Sequence, residues 1–309
     1  MRSVPFLTRS GRQPSRTRWG WLLLLALASG WPASATVLGV PADTTRAKDA
    51  LRQSAALAAT DTARAGQLAR LALTLSTAAG YRYGQAHGWL QLSALALIRG
   101  DQQRARYYGE RAQAVARPLY RRQPSARLAR LLAGIANNLG SAADHQGQYP
   151  AAVAHYLDAT IYLTPYPAHA ATLRTVYTNL GNCLLVLGQP ARAAGYWRRA
   201  VALGSRTGLA PDLLPAYLQL AALHLQNAHV DSARQALAAA RPLVHPGSLY
   251  AGEYYGTLGQ YYLQRQQGAA ARRAFTQALG YAMHKGAAGY QAQLLLGLGQ
   301  LDQQAGNPA

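Results

Sequence analysis

The stretch that decides the fold is YTNLGNCLLVLGQPARAAGYWRRA, residues 177–200. Leu180 and Gly181 stand together; Ala193 follows thirteen residues after Leu180, Ala200 seven after that, and Trp197 lies between. Residues 89–112, 135–159, 217–240 and 254–278 align with it without gaps. The leucines Leu92, Leu139, Leu180, Leu220, Leu258 and Leu298 are spaced 47, 41, 40, 38 and 40 residues apart. The first alanine recurs as Ala105, Ala152, Ala233 and Ala271, the second as Ala112, Ala159, Ala240 and Ala278. Between each pair stands Gly109, Tyr156, Leu237 or Phe275. A self-similar period of this length marks a stack of repeated supersecondary units. Small residues at helical offsets let two rods approach closely, and a large residue fills the hollow beside them.

The apolar positions keep a helical period throughout, and no β-branched run signals a strand. The expected fold is all-α: an α-solenoid of antiparallel helix pairs with a period of about 40 residues. Pro150, Pro190 and Pro308 fall at a tight turn or in the first turn of a second helix, where a missing N–H costs nothing. Pro118, Pro124, Pro165, Pro167, Pro242 and Pro246 are expected between repeats, and Pro211 and Pro215 at the start of a first helix. No proline is expected inside a helix. Residues 61–86 read as an earlier second helix and a turn, since Ala65 stands 40 before Ala105. Its first helix then lies within 44–59, degenerate as a terminal unit can be.

Tyr177, Leu180, Gly181, Ala193, Trp197 and Ala200, with Tyr255, Leu258, Gly259, Tyr262, Ala271, Phe275 and Ala278, form a pattern that resembles the tetratricopeptide repeat. That family's period is 34 residues, and every spacing here is longer, so the surplus lengthens helix ends and loops. The resemblance implies that the first helices line a concave surface at positions two and one before the repeat's Leu and two and five after it. Those positions hold Asn137, Asn138, Ser141 and Asp144; Thr178, Asn179 and Asn182; Gln219; Thr257 and Gln260; and Gln300 and Gln303. Such an amide and hydroxyl lining can hydrogen-bond an extended peptide backbone without demanding a side chain. In the other reading, Asn138 and Asn179 hydrogen-bond neighbouring helices. No Lys or Arg occupies these positions, so the basic carboxylate clamp of some family members is not expected.

Residues 1–35 read as a secretory signal peptide. The first twenty residues carry five Arg and no acid. The apolar run WLLLLALASGW, 21–31, is too short to span a bilayer, and Ala33-Ser34-Ala35 is an Ala-x-Ala cleavage pattern. An uncleaved anchor is the other reading. Export to the periplasm, or another extracytoplasmic space, is expected. Residues 36–309 then form a single solenoid of about six helix pairs plus a final unpaired helix. The segment GLGQLDQQAGNPA, 297–309, repeats the pattern of the earlier copies as far as the turn. Its helix is either a cap closing the stack or the first of a pair whose second lies further on. Signal peptide, repeats and GYRYGQA, 80–86, together resemble the extracytoplasmic region of certain bacterial sensor histidine kinases and related regulators. That resemblance implies a sensor portion that meets the membrane only through its leader or a region beyond the repeats.

Lys and Arg number 31 against 11 Asp and Glu. Nine Arg fall between 99 and 130. Arg104, Arg106, Arg111, Arg121 and Arg122 make a candidate contact for an anionic envelope polymer, or simply a solvated basic face. Nucleic acid is not an expected partner of an exported chain. His224 and His229 are five apart and His145 and His155 ten, so neither pair has the i, i+4 spacing of two ligands on one helix face. GSRTG, 204–208, has Ser in the wrong place for a nucleophile elbow, and Asp144 and Asp158 are isolated carboxylates. No catalytic residue, metal or cofactor is expected. The single Cys183 excludes an internal disulfide and reads as a buried, inert thiol. The expected function is non-enzymatic: an exported module or scaffold that binds protein or peptide, as the sensor portion of a signalling protein or as a free periplasmic scaffold.

Overall fold

A computed structural model describes residues 42–205, 213–245, 248, 250–284, 288–304 and 306. Among them are thirteen α-helices and no strand, the expected all-α class. In chain order these are α1 (Ala42–Leu57), α2 (Thr62–Ala78), α3 (Arg82–Ile98), α4 (Gln102–Arg122), α5 (Ala126–His145), α6 (Tyr149–Leu163) and α7 (Ala170–Val186). They continue with α8 (Pro190–Ser205), α9 (Leu214–Gln226), α10 (Val230–Ala240), α11 (Ala251–Gln264), α12 (Gly268–His284) and α13 (Ala288–Gln304). Helix contacts divide the chain into two units at Ala193–Ala194, inside α8. The leader, Pro211, Pro246 and the last residues, Pro308 among them, lie outside the described residues.

In the N-terminal unit each helix packs on the next, and α1 also lies on α3, α3 on α5 and α5 on α7. The odd-numbered helices therefore form an inner layer and the even-numbered ones an outer layer. Ala86, Leu90, Ala112, Ala116, Leu132, Ile135 and Leu139 close one core across α3, α4 and α5. In the C-terminal unit α9 packs on α10 and α11, and α12 on α11 and α13. Leu214, Leu218, Leu237 and Tyr254 fill one core there, and Phe275, Ala278, Leu294 and Leu301 another. Helix α13 turns Leu294 and Leu301 inward and leaves Leu295 and Leu296 exposed.

The alanine register is what holds the helices close. All ten recurring alanines have 0% exposure, and Tyr156, Trp197, Leu237 and Phe275 beside them are buried. A Cβ on Gly140 would sit 2.7 Å from the Tyr156 ring, and one on Gly259 would sit 2.5 Å from Phe275. Each glycine is thus the floor on which the next helix's aromatic rests. Where the first aligned copy has Ser93 instead, its hydroxyl donates to the Ala105 carbonyl at 2.8 Å. Ser54 donates to the Ala65 carbonyl at 2.9 Å in the same way, so α1 and α2 are the degenerate first pair.

The turn inside each pair also repeats. The residue eight after the repeat's Leu has positive φ: Gly100, Gly147 and Gly188, then Ala228 and Gln266 at 56°. The N–H that follows reaches back five residues, as in Asp101 to Ala96 and Gln189 to Leu184, which closes the helix end. Asp61 and Asp101 each accept from the third N–H beyond at 2.9 Å and cap α2 and α4.

Pro150, Pro190 and Pro215 occupy first turns, as expected. Pro118 does not fall between repeats. It lies inside α4, which continues to Arg122. Tertiary contact overrides the local break: Ala116 is buried, and the Tyr120 ring meets Tyr162 of α6 edge-on at 5.5 Å between centroids.

Candidate functional site

Of the residues expected to line a groove, Asn137, Asn138, Ser141 and Asp144 stand on α5, and Thr178, Asn179 and Asn182 on α7. These seven share the inner layer of the N-terminal unit. Gln219 on α9 and Thr257 and Gln260 on α11 belong to the C-terminal unit, where all three are half-buried.

The best-formed feature is an amide seam. Asn179 Nδ2 donates to Asn137 Oδ1 at 3.2 Å, joining α7 to α5 across 42 residues of sequence. Both side chains are buried. Thr178 Oγ1 donates to the Arg174 carbonyl at 3.0 Å on its own helix, and the Ser141 and Tyr156 hydroxyls meet at 3.2 Å. The hydrogen-bonding capacity of these side chains is directed largely at the protein itself. Asn138 differs: it is buried, and its Nδ2 has no hydrogen-bond partner among the described residues. Asp144 and Asn182 remain partly open to solvent. Burial holds the Asp144 carboxyl above its usual range, while His145 and a hydrogen bond with Cys183 oppose that shift. The Cys183 thiol is itself pushed up by burial and by the Asp144 charge, consistent with an inert thiol. In the C-terminal unit Thr257 donates to the Glu253 carbonyl at 2.8 Å, and Gln264 of α11 donates to the Leu225 carbonyl of α9 at 2.9 Å.

The candidate anion-binding arginines Arg104, Arg106, Arg111, Arg121 and Arg122 are all exposed on the outer helix α4. Arg104 pairs with Asp101 at 3.4 Å, Arg106 lies 3.9 Å from Glu110, and Arg111 sits over the Tyr107 ring. At 1.5 Å per residue, Arg104 and Arg122 are about 27 Å apart along the helix and do not converge on one small anion.

A different basic group lies on the inner layer, where sequence reasoning did not place it. Lys48 of α1, Tyr81 before α3, Tyr83 and His87 of α3, and Arg127 of α5 are in contact. The sequence signal was the pair Arg127 and Arg130, one turn apart on the α5 face that carries Gly134, Asn137, Ser141 and Asp144. What hid it is position: it precedes the repeat's Leu by more than two helical turns.

No family model and no curated protein matches the chain. Solved structures do, and in fold alone. PilF of Pseudomonas aeruginosa is similar with a TM-score of 0.58 at 18% identity, over 76% of this chain and 91% of that one. The Cut9–Hcn1 hetero-tetramer of APC/C matches at 0.56 and 16% identity, over 85% of this chain and 47% of that one. A Rap protein complexed with competence and sporulation factor matches at 0.53 and 12%, over 84% and 75%.

Proposed function

Because this chain has the tetratricopeptide-repeat fold that these structures share, we propose that it is a non-enzymatic module that binds a protein or peptide on its inner layer. The observation that carries this reading is the face of α5 and α7. Its amides lock the inner helices together, while Asp144, Asn182 and the arginines at the start of α5 keep solvent contact. A rigid wall with a few polar groups suits an extended ligand, because the wall loses little entropy on binding. Two of the similar structures are themselves complexes, one with competence and sporulation factor and one of Cut9 with Hcn1.

The working place of this module is outside the inner membrane, in the reading that residues 1–35 are a cleaved leader, and its use is as a sensor portion or scaffold. Mass measurement of the protein recovered from the envelope tests the first point: the chain should begin at Thr36, and a retained Met1 would count against cleavage. The binding reading is tested by selecting peptides from a display library on residues 36–309. Selected peptides should lose about tenfold or more in affinity to Asp144→Ala combined with Asn182→Ala, a loss of about 1.4 kcal/mol or more. Failure to select any peptide, or equal affinity for the doubly substituted protein, would refute an inner-layer site.

A further inference from the structure

We infer that the exposed face of α13 is a docking surface for one helix of a partner polypeptide: an amphipathic helix whose central aromatic residue has an alanine four residues before it and another three after. The surface belongs to the last helix of the C-terminal unit. It is separate from the inner-layer face of α5 and α7, so each can be tested without the other.

On the first helix of a pair, the residues six and three before the repeat's Leu and one after it fall on one face. On α11 this stripe is Gly252, Tyr255 and Gly259, and α12 covers it. A Cβ on Gly252 would sit 3.1 Å from Tyr281, the Tyr255 ring stacks on Tyr281 at 5.9 Å between centroids, and Gly259 carries Phe275. On α5 the stripe is Ala133, Ala136 and Gly140. Both alanines have 0% exposure, and Gly140 carries Tyr156 of α6. On α13 the same positions hold Ala292, Leu295 and Gly299. Here Ala292 is exposed, Leu295 is 55% exposed, and a Cβ on Gly299 would meet nothing within 4 Å among the described residues. Beside the stripe, Leu296 is 68% exposed, whereas its counterpart on α5, Asn137, is buried against the next inner helix.

The other side of α13 is engaged. Leu294 and Leu301 are buried in one core with Phe275 and Ala278 of α12, and the Tyr290 hydroxyl donates to the Gly252 carbonyl at 2.9 Å. The open stripe is thus held in place without anything on it. Single exposed leucines are ordinary on a protein surface; these two stand in repeat register beside an empty glycine seat. Continuity with the repeat interface sets the chemistry of the occupant. The rings that fill Gly140 and Gly259 each stand between two alanines, Ala152 and Ala159 beside Tyr156, and Ala271 and Ala278 beside Phe275. Those alanines let the helices come close enough for the ring to reach its glycine. A helix that fills Gly299 carries the same three residues. A second copy of this chain has none to offer from α6, α8 or α12, because Tyr156, Trp197 and Phe275 are already 0–1% exposed. The occupant is a helix of a different polypeptide.

A fluorescein-labelled peptide with the sequence of residues 267–284, a copy of α12, should bind the protein saturably and gain helical circular dichroism as it does so. The same peptide with Phe275→Ala should bind at least about tenfold more weakly. In the protein, Leu295→Glu and Gly299→Leu should each weaken the unsubstituted peptide at least about tenfold. The thermal midpoint should not fall in either variant, because both positions stand open; if Gly299→Leu does lower it, Leu295→Glu decides alone. Asp144→Ala combined with Asn182→Ala should leave this binding unaltered, so a failure of the inner-layer reading and a failure of the α13 surface are told apart. No binding of the α12 copy, equal binding of the Phe275→Ala peptide, or undiminished binding by Leu295→Glu would overturn the docking surface. So would a protein that is dimeric by light scattering and becomes monomeric with Leu295→Glu, because the occupant would then be a second copy.

Discussion

Asn137 and Asn179 meet across two helices in a direct hydrogen bond, so each depends on the other. Asn179→Ala leaves the Asn137 Oδ1 buried without its donor and should destabilise the fold by about 1–3 kcal/mol. Replacing both by Leu removes the polar atoms together and should recover most of that loss. Urea unfolding of the three variants checks this, and a double variant as weak as the single would show that the seam is not a mutual pair. His87 gives the residue scale a pH dependence. Burial, reinforced by the charges of Arg130 and Arg127, lowers its pKa from 6.5 to about 4. The unfolded chain takes up this proton near 6.5 and the native chain only near 4. Stability from this group is therefore whole above 6.5, falls as the pH drops toward 4, and is level below that. The ceiling is about 3 kcal/mol at about 1.4 kcal/mol per unit. Denaturation at pH 7.5 and 4.5 should show a smaller pH difference for His87→Gln than for the unsubstituted protein. An identical difference would mean that the ring is charged without cost.

The helix pair is the scale at which the sequence was most readable, and it also shows where reading stops. An alanine thirteen residues after Leu has no other reason to recur than close helix approach, and the 0% exposure of Ala105, Ala152, Ala193, Ala233 and Ala271 follows from that. The turn eight after Leu is readable where Gly100, Gly147 and Gly188 mark it and silent where Ala228 and Gln266 take the same positive φ. Those two residues carry strain that glycine would not, since a Cβ disfavours the left-handed region by about 1–2 kcal/mol. Ala228→Gly or Gln266→Gly should stabilise by about 0.5–1 kcal/mol once the added freedom of the unfolded chain is deducted. Gly147→Ala should destabilise by a similar amount, and thermal unfolding of the three decides. Pro118 was misread because a proline's local cost is visible in sequence, whereas the contacts of Ala116 and Tyr120 that hold α4 past it are not. Pro118→Ala restores a backbone donor and should stabilise by up to about 3 kcal/mol; a loss would mean that the ring itself packs.

Across the whole molecule the decisive quantity is charge, and it separates what composition tells from what it hides. An excess of 31 basic over 11 acidic residues was plain, but not that Lys48 and Arg127 share one corner while the denser arginines of α4 are spread along an outer helix. Arg127 and Tyr81 are 46 residues apart, and only the stacking of successive inner helices brings them together. The same excess bears on stability. Pairs such as Arg46–Asp43, Arg104–Asp101 and Arg234–Asp231 join near neighbours in sequence, and their side chains are largely in solvent. Each such pair is worth about 0–1 kcal/mol at most, too little to offset repulsion among the arginines that remain. Screening should therefore help more than it harms. Raising salt from about 20 to 300 mM shortens the Debye length from about 20 Å to about 6 Å. If that recovers about 1 kcal/mol, the thermal midpoint rises by about 2–4 °C. The effect should shrink when exposed arginines of α4 with no acidic partner among the described residues, Arg121 and Arg122, are replaced by Gln, because part of the repulsion has then been removed in advance. A midpoint that falls with salt would mean that the surface pairs outweigh the net charge. An unchanged salt response in the α4 variant would place the repulsion elsewhere, with the cations of the inner layer.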